Sequence, residues 1–353
     1  MYGQSRYALI PANSHSSSYN LTDRKLDSTT DLTHYKALVA KLPLLRNEIG
    51  KVIIGQQEAI NEVLISLLAG GHCLLEGVPG LAKTLMVKTM SDALAMRFKR
   101  IQFTPDLMPG DIVGTEILED DHETGHKVFV FNRGPLFANV VLADEINRTP
   151  PKTQAAMLEA MQEYKVTYGG NDYELPKPFL IIATQNPIEQ AGTYPLPEAQ
   201  LDRFLLYIKL SYPSEREELD VLKSTTGTSR PKLQTILSDQ DIIQLQKLTR
   251  EVHISDELIE YINRLVRASR PVDSPSAFVK QWGEWGAGPR AGQALVLCAK
   301  ARAVLHERFS VIPDDIQALA YPILRHRIAL NFRAEAEGIT TDQVIKELLT
   351  VIN

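Results

Sequence analysis

GHCLLEGVPGLAKTLM, residues 71–86, passes from a short apolar run through glycine and proline to a lysine followed by a threonine. Leu74 and Leu75 read as the end of a buried strand, Gly77, Val78, Pro79 and Gly80 as a loop free of bulky groups, and Lys83-Thr84 as the start of a helix. Consecutive backbone amides in such a loop converge on an anion at the positive end of the next helix; the lysine adds a full charge and the threonine hydroxyl can ligate magnesium. From Gly77 to Ala82-Lys83-Thr84 the spacing is that of a phosphate cradle, with alanine where the last glycine usually stands. Helical dihedrals at Ala82 would make that departure mild, because alanine is favoured over glycine in a helix. Taken alone, the stretch also fits an ordinary strand-to-helix turn with an exposed lysine, so it requires a second witness.

Outward from it, HCLLEG, KRIQF, ANVVLADE, FLIIATQNP and FLLYIKL are short apolar runs bounded by turn residues and alternating with helices. That is the pattern of strands buried on both faces of a parallel sheet. Upstream, His34 to Gly50 and Gln57 to Leu68 carry helical spacing, with Ile60, Val63, Leu64 and Leu67 on one face, and VIIGQ divides the two helices. After PSERE the strands stop, and segments near 239–252, 255–269, 290–309 and 340–351 read as amphipathic helices. The expected fold class is α/β, a doubly wound parallel sheet followed by an all-helical domain. Residues 1–30 read as a poorly ordered polar leader, 31–222 as the α/β domain and 223–353 as the helical domain.

Composition narrows the setting. The chain of 353 residues has 44% hydrophobic and 23% charged residues, the balance of an ordinary soluble globular protein. A formal net charge of -5 gives no global reason to bind a polyanion. The two cysteines, Cys73 and Cys298, each lie in apolar surroundings, which favours buried free thiols in a reducing compartment. No apolar run approaches the roughly twenty residues of a membrane helix and the N-terminus shows no signal pattern, so the expected location is cytoplasmic.

The second witness is NVVLADEINR, where four apolar residues run straight into Asp144-Glu145 at the end of a strand. In a phosphoryl-transfer site the first carboxylate can hold magnesium through its waters and the second can polarise an attacking water. A third is FLIIATQNP, which ends at Gln185-Asn186 before Pro187; an amide there can orient water without adding charge, or merely cap a turn. LPEAQLDRFLL sets Arg203 just before a strand, and GPRAGQAL sets Arg290 in the first turn of a helix. Neither arginine has an obvious duty to a local carboxylate, and arginine can neutralise charge developing on a transferred phosphoryl group, from the same chain or another.

In this order the motifs resemble those of an AAA+ ATPase, and more narrowly a MoxR-type ATPase. The resemblance rests on GVPGLAKT, QFTPDLMPGDIVG, FNRGPLFANVVLADEINRTPPKTQAAMLEAMQE, ATQNP, LPEAQLDRF and GAGPRA, and spans roughly residues 40 to 350. It implies an AAA+ P-loop NTPase fold with a helical lid, ATP with Mg2+ between the two units, and subunits in a homo-oligomeric, usually hexameric, ring. Position by position, it implies phosphate contacts from Gly77 through Leu85, including Leu81 and Ala82, with Lys83 on the β and γ phosphates and Thr84 on magnesium. Asp144 would support the metal, Glu145 would be the catalytic base, Asn186 the first sensor, Arg290 the lid sensor, and Arg203 the finger offered to a neighbour's ATP. Val52, Ile53, Ile54, Gly55 and Gln56 would line adenine. Arg148 is left open between restraining Glu145, reaching a neighbouring subunit and pairing on the surface. Gly288 stands where similar proteins often have serine, which bears on the lid sensor.

Two further stretches resemble inserted hairpins that project from such a ring: MPGDIVGTEILEDDHETGHKVFVFNRG and EYKVTYGGNDYELPKPF, the latter turning around Gly169-Gly170-Asn171-Asp172. Their tips carry Asp120, Asp121, Glu123 and Asp172, with Lys127 and Lys165 farther down. Such tips would repel phosphate, which disfavours nucleic acid and favours a protein client, although ordinary solvated turns would look the same. Relatives of the MoxR type are associated with remodelling or activating partners, often ones with a von Willebrand factor A domain. The alternative function is a nucleic-acid-dependent AAA+ motor of the replicative-helicase type. A scaffold that binds nucleotide without hydrolysis is a third possibility, against which the intact Asp144-Glu145 pair speaks. His122 and His126 are read as solvated, and Trp282 and Trp285 as packing residues.

Overall fold

Two helices, α1 (Thr29–Val39) and α2 (Lys41–Gly50), open the part of the chain that the computed structural model describes, residues 29–120, 126–187, 193–227 and 231–352. The expected leader, the acidic turn around Asp121 and Glu123, and His122 lie almost wholly outside those residues. Next, α3 (Gln57–Ala69) leads into β1 (Cys73–Glu76), α4 (Lys83–Ala93) and β2 (Phe98–Gln102). A short α5 (Pro109–Val113) and the hairpin β3 (Gly114–Asp120) with β4 (Lys127–Arg133) precede β5 (Val140–Asp144). A 3-10 turn, Ile146–Arg148, is followed by α6 (Pro151–Glu163), the hairpin β6 (Lys165–Tyr168) with β7 (Asn171–Glu174), and β8 (Leu180–Gln185). A short α7 (Glu198–Leu201), β9 (Leu206–Lys209) and α8 (Glu215–Thr225) end this half.

The sheet is parallel throughout, in the order β2-β5-β8-β1-β9. Alternation along the strands splits its side chains between two cores. Cys73, Leu75, Leu142, Ile182 and Ile208 join a core shared with α3, α4 and the C-terminal helices. Leu74, Val141, Ala143, Ile181 and Ala183 join the other, with Met157 and Met161 of α6. Complete burial on both faces holds for β5 but not for β2, an edge strand whose Lys99, Arg100 and Gln102 are exposed.

Beyond α8 come α9 (Asp239–Glu251), α10 (Asp256–Ala268), α11 (Ala277–Trp282), β10 (Gly283–Trp285), α12 (Pro289–Leu305), α13 (Pro313–Leu324), β11 (Ala329–Leu330), α14 (Phe332–Ala336) and α15 (Thr341–Val351). The β10–β11 ladder is a small exception to the expected run of helices. Serine side chains accept from the third helical N–H at the starts of α8 to α11, and caps of this kind are worth about 1 kcal/mol each. α12 packs against α3, so the helical half continues the core on one sheet face. Trp282 is buried beside Phe278, whereas Trp285, expected to pack, is 56% exposed. Both cysteines are free and fully buried, and burial pushes the Cys298 thiol up to about 12. In the β6–β7 hairpin the turn is Gly169-Gly170, both with positive φ, so Asn171 and Asp172 belong to the strand instead.

Candidate functional site

β1 ends at Glu76 and the chain turns at Gly77, where a Cβ would lie 2.9 Å from the Leu210 Cβ; only glycine lets the loop pass the residue that follows β9. Gly80 has φ +89° and open space where its side chain would be. Ala82 has φ 55° and ψ 26°, which is left-handed, so the helical dihedrals that would have made alanine harmless are absent. Alanine in that region costs about 1 kcal/mol or more. The gain is geometric, because left-handed residues interleaved with right-handed ones turn successive N–H groups to one side and form an anion-binding nest. The first-turn amides of α4, from Lys83 to Leu85, have no acceptor within their own helix and face the same loop. Pro79, Gly80, Ala82 and Leu85 are exposed, while Val78, Leu81, Lys83 and Thr84 are half-buried.

Lys83 folds back so that its Nζ donates to the Gly77 carbonyl at 2.5 Å. Burial lowers its pKa, opposed by the carboxylates of Asp144, Glu145 and Glu76. These charges act on Lys83 because the strands that carry them run in parallel and end at one rim. Leu74 and Ala143 both pair with Ala183, which puts the ends of β1 and β5 on either side of β8, about 10 Å apart.

Asp144 is only 7% exposed. Its Oδ1 accepts from Thr184 Oγ1 at 2.6 Å, and its Oδ2 accepts from Arg100 Nε at 3.0 Å and Nη2 at 2.6 Å. Glu145 is held in a left-handed conformation, φ 58° and ψ 50°, which is costly for a residue with a side chain, and its N–H donates to Thr184 Oγ1 at 2.8 Å. Its Oε2 accepts from Gln102 Nε2 at 2.7 Å and faces Arg148 Nε at 3.1 Å. Of the readings left open for Arg148, restraint of Glu145 is the one this contact fits. Asn186, 6% exposed, follows Gln185, whose register partner is Glu76; it therefore sits between the loop and the acids.

Val52 to Gln56 flanks the same rim. Ile53 is buried, Gln56 Nε2 donates to the Ser211 carbonyl at 2.6 Å, and a Cβ on Gly55 would lie 3.2 Å from the Glu217 carboxylate. Since Leu210 also touches Gly77, residues 52–56 and 210–217 form one wall beside the cradle. Among the described residues, no group of three or more His, Cys, Asp or Glu could hold a metal by itself. Thr84 with one carboxylate suits magnesium that arrives with phosphate, since that ion is usually held by one or two carboxylates plus substrate phosphates.

Arg203, expected at a neighbour's nucleotide, and Arg290, expected at the chain's own, both lie away from Lys83. Arg203 and Arg290 line a cleft of about 530 Å³ together with Gly71 and His72, which precede β1, and with Arg250. Arg290 Nη1 lies 3.6 Å from Asp202 Oδ2, and Asp202 is held from the other side by the buried Arg327 at 2.7 Å. From Gly71 to Gly77 an extended chain covers about 20 Å, so this cleft is at the opposite rim. α12 packs against α3, and its first turn, with Arg290, lies in this cleft and not beside Lys83. Gly288 is the N-cap of α12 and makes no side-chain cap; a Cβ there meets nothing within 4 Å.

Arg100, Gln102 and Thr184 were missed in the sequence. In KRIQF the polar residues look like the solvated face of a strand, and Thr184 is an ordinary strand residue. The usable signal was the register of β2 on β5, which pairs Gln102 with Asp144.

A five-stranded parallel sheet with the cradle after β1 and the acidic pair after β5 defines a P-loop NTPase of the AAA+ type. Two family models agree: ATPase family associated with various cellular activities (AAA), over residues 72–206, and AAA lid domain, over 277–348. The chain is 43% identical over 306 residues to Chaperone MoxR1 of Mycobacterium tuberculosis, covering 86% of this chain and 80% of that one. It is 32% identical over 293 residues to Protein MoxR of Paracoccus denitrificans, covering 79% and 86%. A crystal structure from Cytophaga hutchinsonii, of a chain named as an ATPase candidate, superposes with a TM-score of 0.85 at 44% identity, covering 92% of this chain and 98% of that one. The chain belongs to the MoxR family of AAA+ ATPases. No helix among the described residues is long and apolar enough to cross a membrane.

Proposed function

We propose that this protein binds ATP with Mg2+ at the Lys83 rim, hydrolyses it, and uses the cycle as a ring-forming chaperone acting on a protein partner. The observation that carries the reading is the convergence of Lys83, Asp144 and Glu145 in one electrostatic field at the strand ends. In this reading the N–H groups of Val78 and of Gly80 to Leu85 bind phosphate oxygens, and Lys83 exchanges the Gly77 carbonyl for the β and γ phosphates. Thr84 and Asp144 would hold magnesium, which when bound neutralises phosphate charge. Glu145 accepts the proton of the attacking water, Asn186 orients that water, and Ile53 to Gln56 pack on adenine. Arg203 reaches the ATP of a neighbouring subunit, and Arg290 acts beside it across the same boundary instead of closing over its own nucleotide.

A hexameric ring is the assembly that would give each cleft a neighbour. The family's α/β and lid units would be residues 31–225 and 226–353, the expected join at 222/223 being moved to the end of α8, which runs through 222. A reducing, cytoplasmic setting agrees with the two buried free thiols.

A protein client is favoured over nucleic acid by the β3–β4 hairpin, where Leu118 and Phe129 are 52% and 73% exposed, and by Lys165, whose ammonium is paired with Asp172 at 2.5 Å. A client with a von Willebrand factor A domain is the partner class to test. A replicative-helicase-type motor is the second reading; a Methanopyrus kandleri MCM homologue superposes with a TM-score of 0.56 at 17% identity, a likeness of fold. The deciding experiment is capture of partners on Glu145→Gln protein with ATP, beside ATPase assays with and without single-stranded DNA. Retention of a protein client with no DNA stimulation supports the proposal. Turnover that rises with DNA and weakens with salt would replace it with the helicase reading.

A further inference from the structure

Asp144 is engaged on both carboxylate oxygens before any ligand arrives. Thr184 donates to Oδ1, and Arg100 occupies Oδ2 with Nε at 3.0 Å and Nη2 at 2.6 Å. The same Nη2 donates to Gln102 Oε1 at 2.5 Å, and Gln102 Nε2 donates on to Glu145 Oε2 at 2.7 Å. One guanidinium is therefore connected to both acids of the site, directly to the first and through a single amide to the second. β2 is an edge strand, and the Arg100 side chain is 46% exposed, against 10% for that of Asp144.

We propose that Arg100 is a positioning residue that covers Asp144 in the resting subunit and couples arrival of the metal to release of Glu145. The inference rests on the Mg2+-ATP reading of the site. A guanidinium and a divalent cation repel one another on a shared carboxylate, so Arg100 must swing toward solvent when the metal is held. Its departure removes the donor that fixes the Gln102 amide. Gln102 can then turn, and Glu145 loses one of its two restraints while the contact with Arg148 persists. Metal binding thus begins the release of the base, and a second event at Arg148 completes it.

The test is a Mg2+ titration of fluorescent ATP-analogue binding to the full-length wild type, Arg100→Gln and Arg100→Lys proteins, with EDTA controls. Arg100→Gln is expected to need about threefold less Mg2+, or lower still, for half-maximal binding, the scale of losing one partly exposed ion pair. In EDTA its affinity should equal that of wild type, a split that a general loss of structure would not give. Arg100→Lys, which keeps the charge but loses the fork, is expected to shift in the same direction by less, and it carries the test if the glutamine variant does not fold. An unchanged or raised Mg2+ requirement in both variants overturns the coupling while leaving the ATP reading intact. Wild-type protein that binds no analogue with Mg2+ present overturns both.

Discussion

Gln102, the last residue of β2, and Glu145, the residue just past β5, are joined by a 2.7 Å hydrogen bond from the amide Nε2 to the carboxylate Oε2, and Arg148 shares that oxygen at 3.1 Å. A carboxylate held at one oxygen by two donors is less basic and less free to turn toward an attacking water. Gln102→Ala should therefore raise basal ATP turnover roughly fivefold, the scale of about 1 kcal/mol for one hydrogen bond to a charged group at a partly exposed site. Steady-state phosphate release from wild type and variant checks this; a fall in turnover would mean that Gln102 helps place the base. Glu145→Gln, in contrast, should keep nucleotide binding and lose at least about a hundredfold in turnover.

Ala82 allows a separate test of the cradle. Its left-handed backbone, φ 55° and ψ 26°, carries a penalty that glycine does not have. Against this, glycine has more freedom to lose from the unfolded chain. Relief of about 1 kcal/mol or more, less that entropy, leaves Ala82→Gly neutral to slightly more stable, with nucleotide affinity held or improved by up to about threefold. Calorimetric melting and nucleotide titration report both quantities. Weaker binding together with a lower melting temperature would show that the Ala82 methyl makes a contact worth more than its strain.

The cleft shared by Arg203 and Arg290 predicts how mixed assemblies behave. Either arginine changed to alanine should leave a subunit's own nucleotide affinity intact and lower turnover on the order of a thousandfold, the effect of losing an arginine finger. Mixing Arg203→Ala subunits with Glu145→Gln subunits should then restore part of the activity, because some interfaces pair an intact finger with an intact base. Arg290→Ala should complement in the same direction. No recovery on mixing refutes action across a boundary, and an Arg290→Ala subunit that loses its own ATP would return Arg290 to the role of a lid sensor within one chain.

The strands, the cradle and the acidic pair were legible because each is written in adjacent residues: apolar runs of strand length, glycines at a close approach, and acids immediately after Ala143. What escaped depends on relations between segments. The position of Arg290 follows from the face of α3 that receives α12, and the order of helices is the same for either placement. Arg100 and Gln102 acquire meaning only through the register of β2 on β5. Ala82 could be read as helical because alanine favours helices, and its left-handed turn is imposed by the loop. Trp285 was assigned to packing on residue type, but its short ladder leaves more than half of it in solvent.

His72 makes the acid stability of the fold predictable. The Ile181 N–H donates to its Nδ1 at 3.0 Å, which requires that nitrogen to be unprotonated, and its Nε2 donates to the Met161 carbonyl, also at 3.0 Å. Burial lowers the pKa of this ring to about 4, only partly opposed by the Met161 carbonyl. The unfolded chain, with an ordinary histidine near 6.5, binds the proton more readily over the interval between those values. Stability is therefore fully present above about pH 6.5 and declines as the pH falls toward 4, by an amount on the order of 3 kcal/mol from this residue. Buried His326, whose pKa is also lowered, acts in the same direction. Urea melts at intervals between pH 7.5 and 4.5 should show this slope, and His72→Gln, whose amide keeps a donor and an acceptor but does not titrate, should flatten it. An equal slope in the variant would assign the acid sensitivity to other groups and remove His72 from the account.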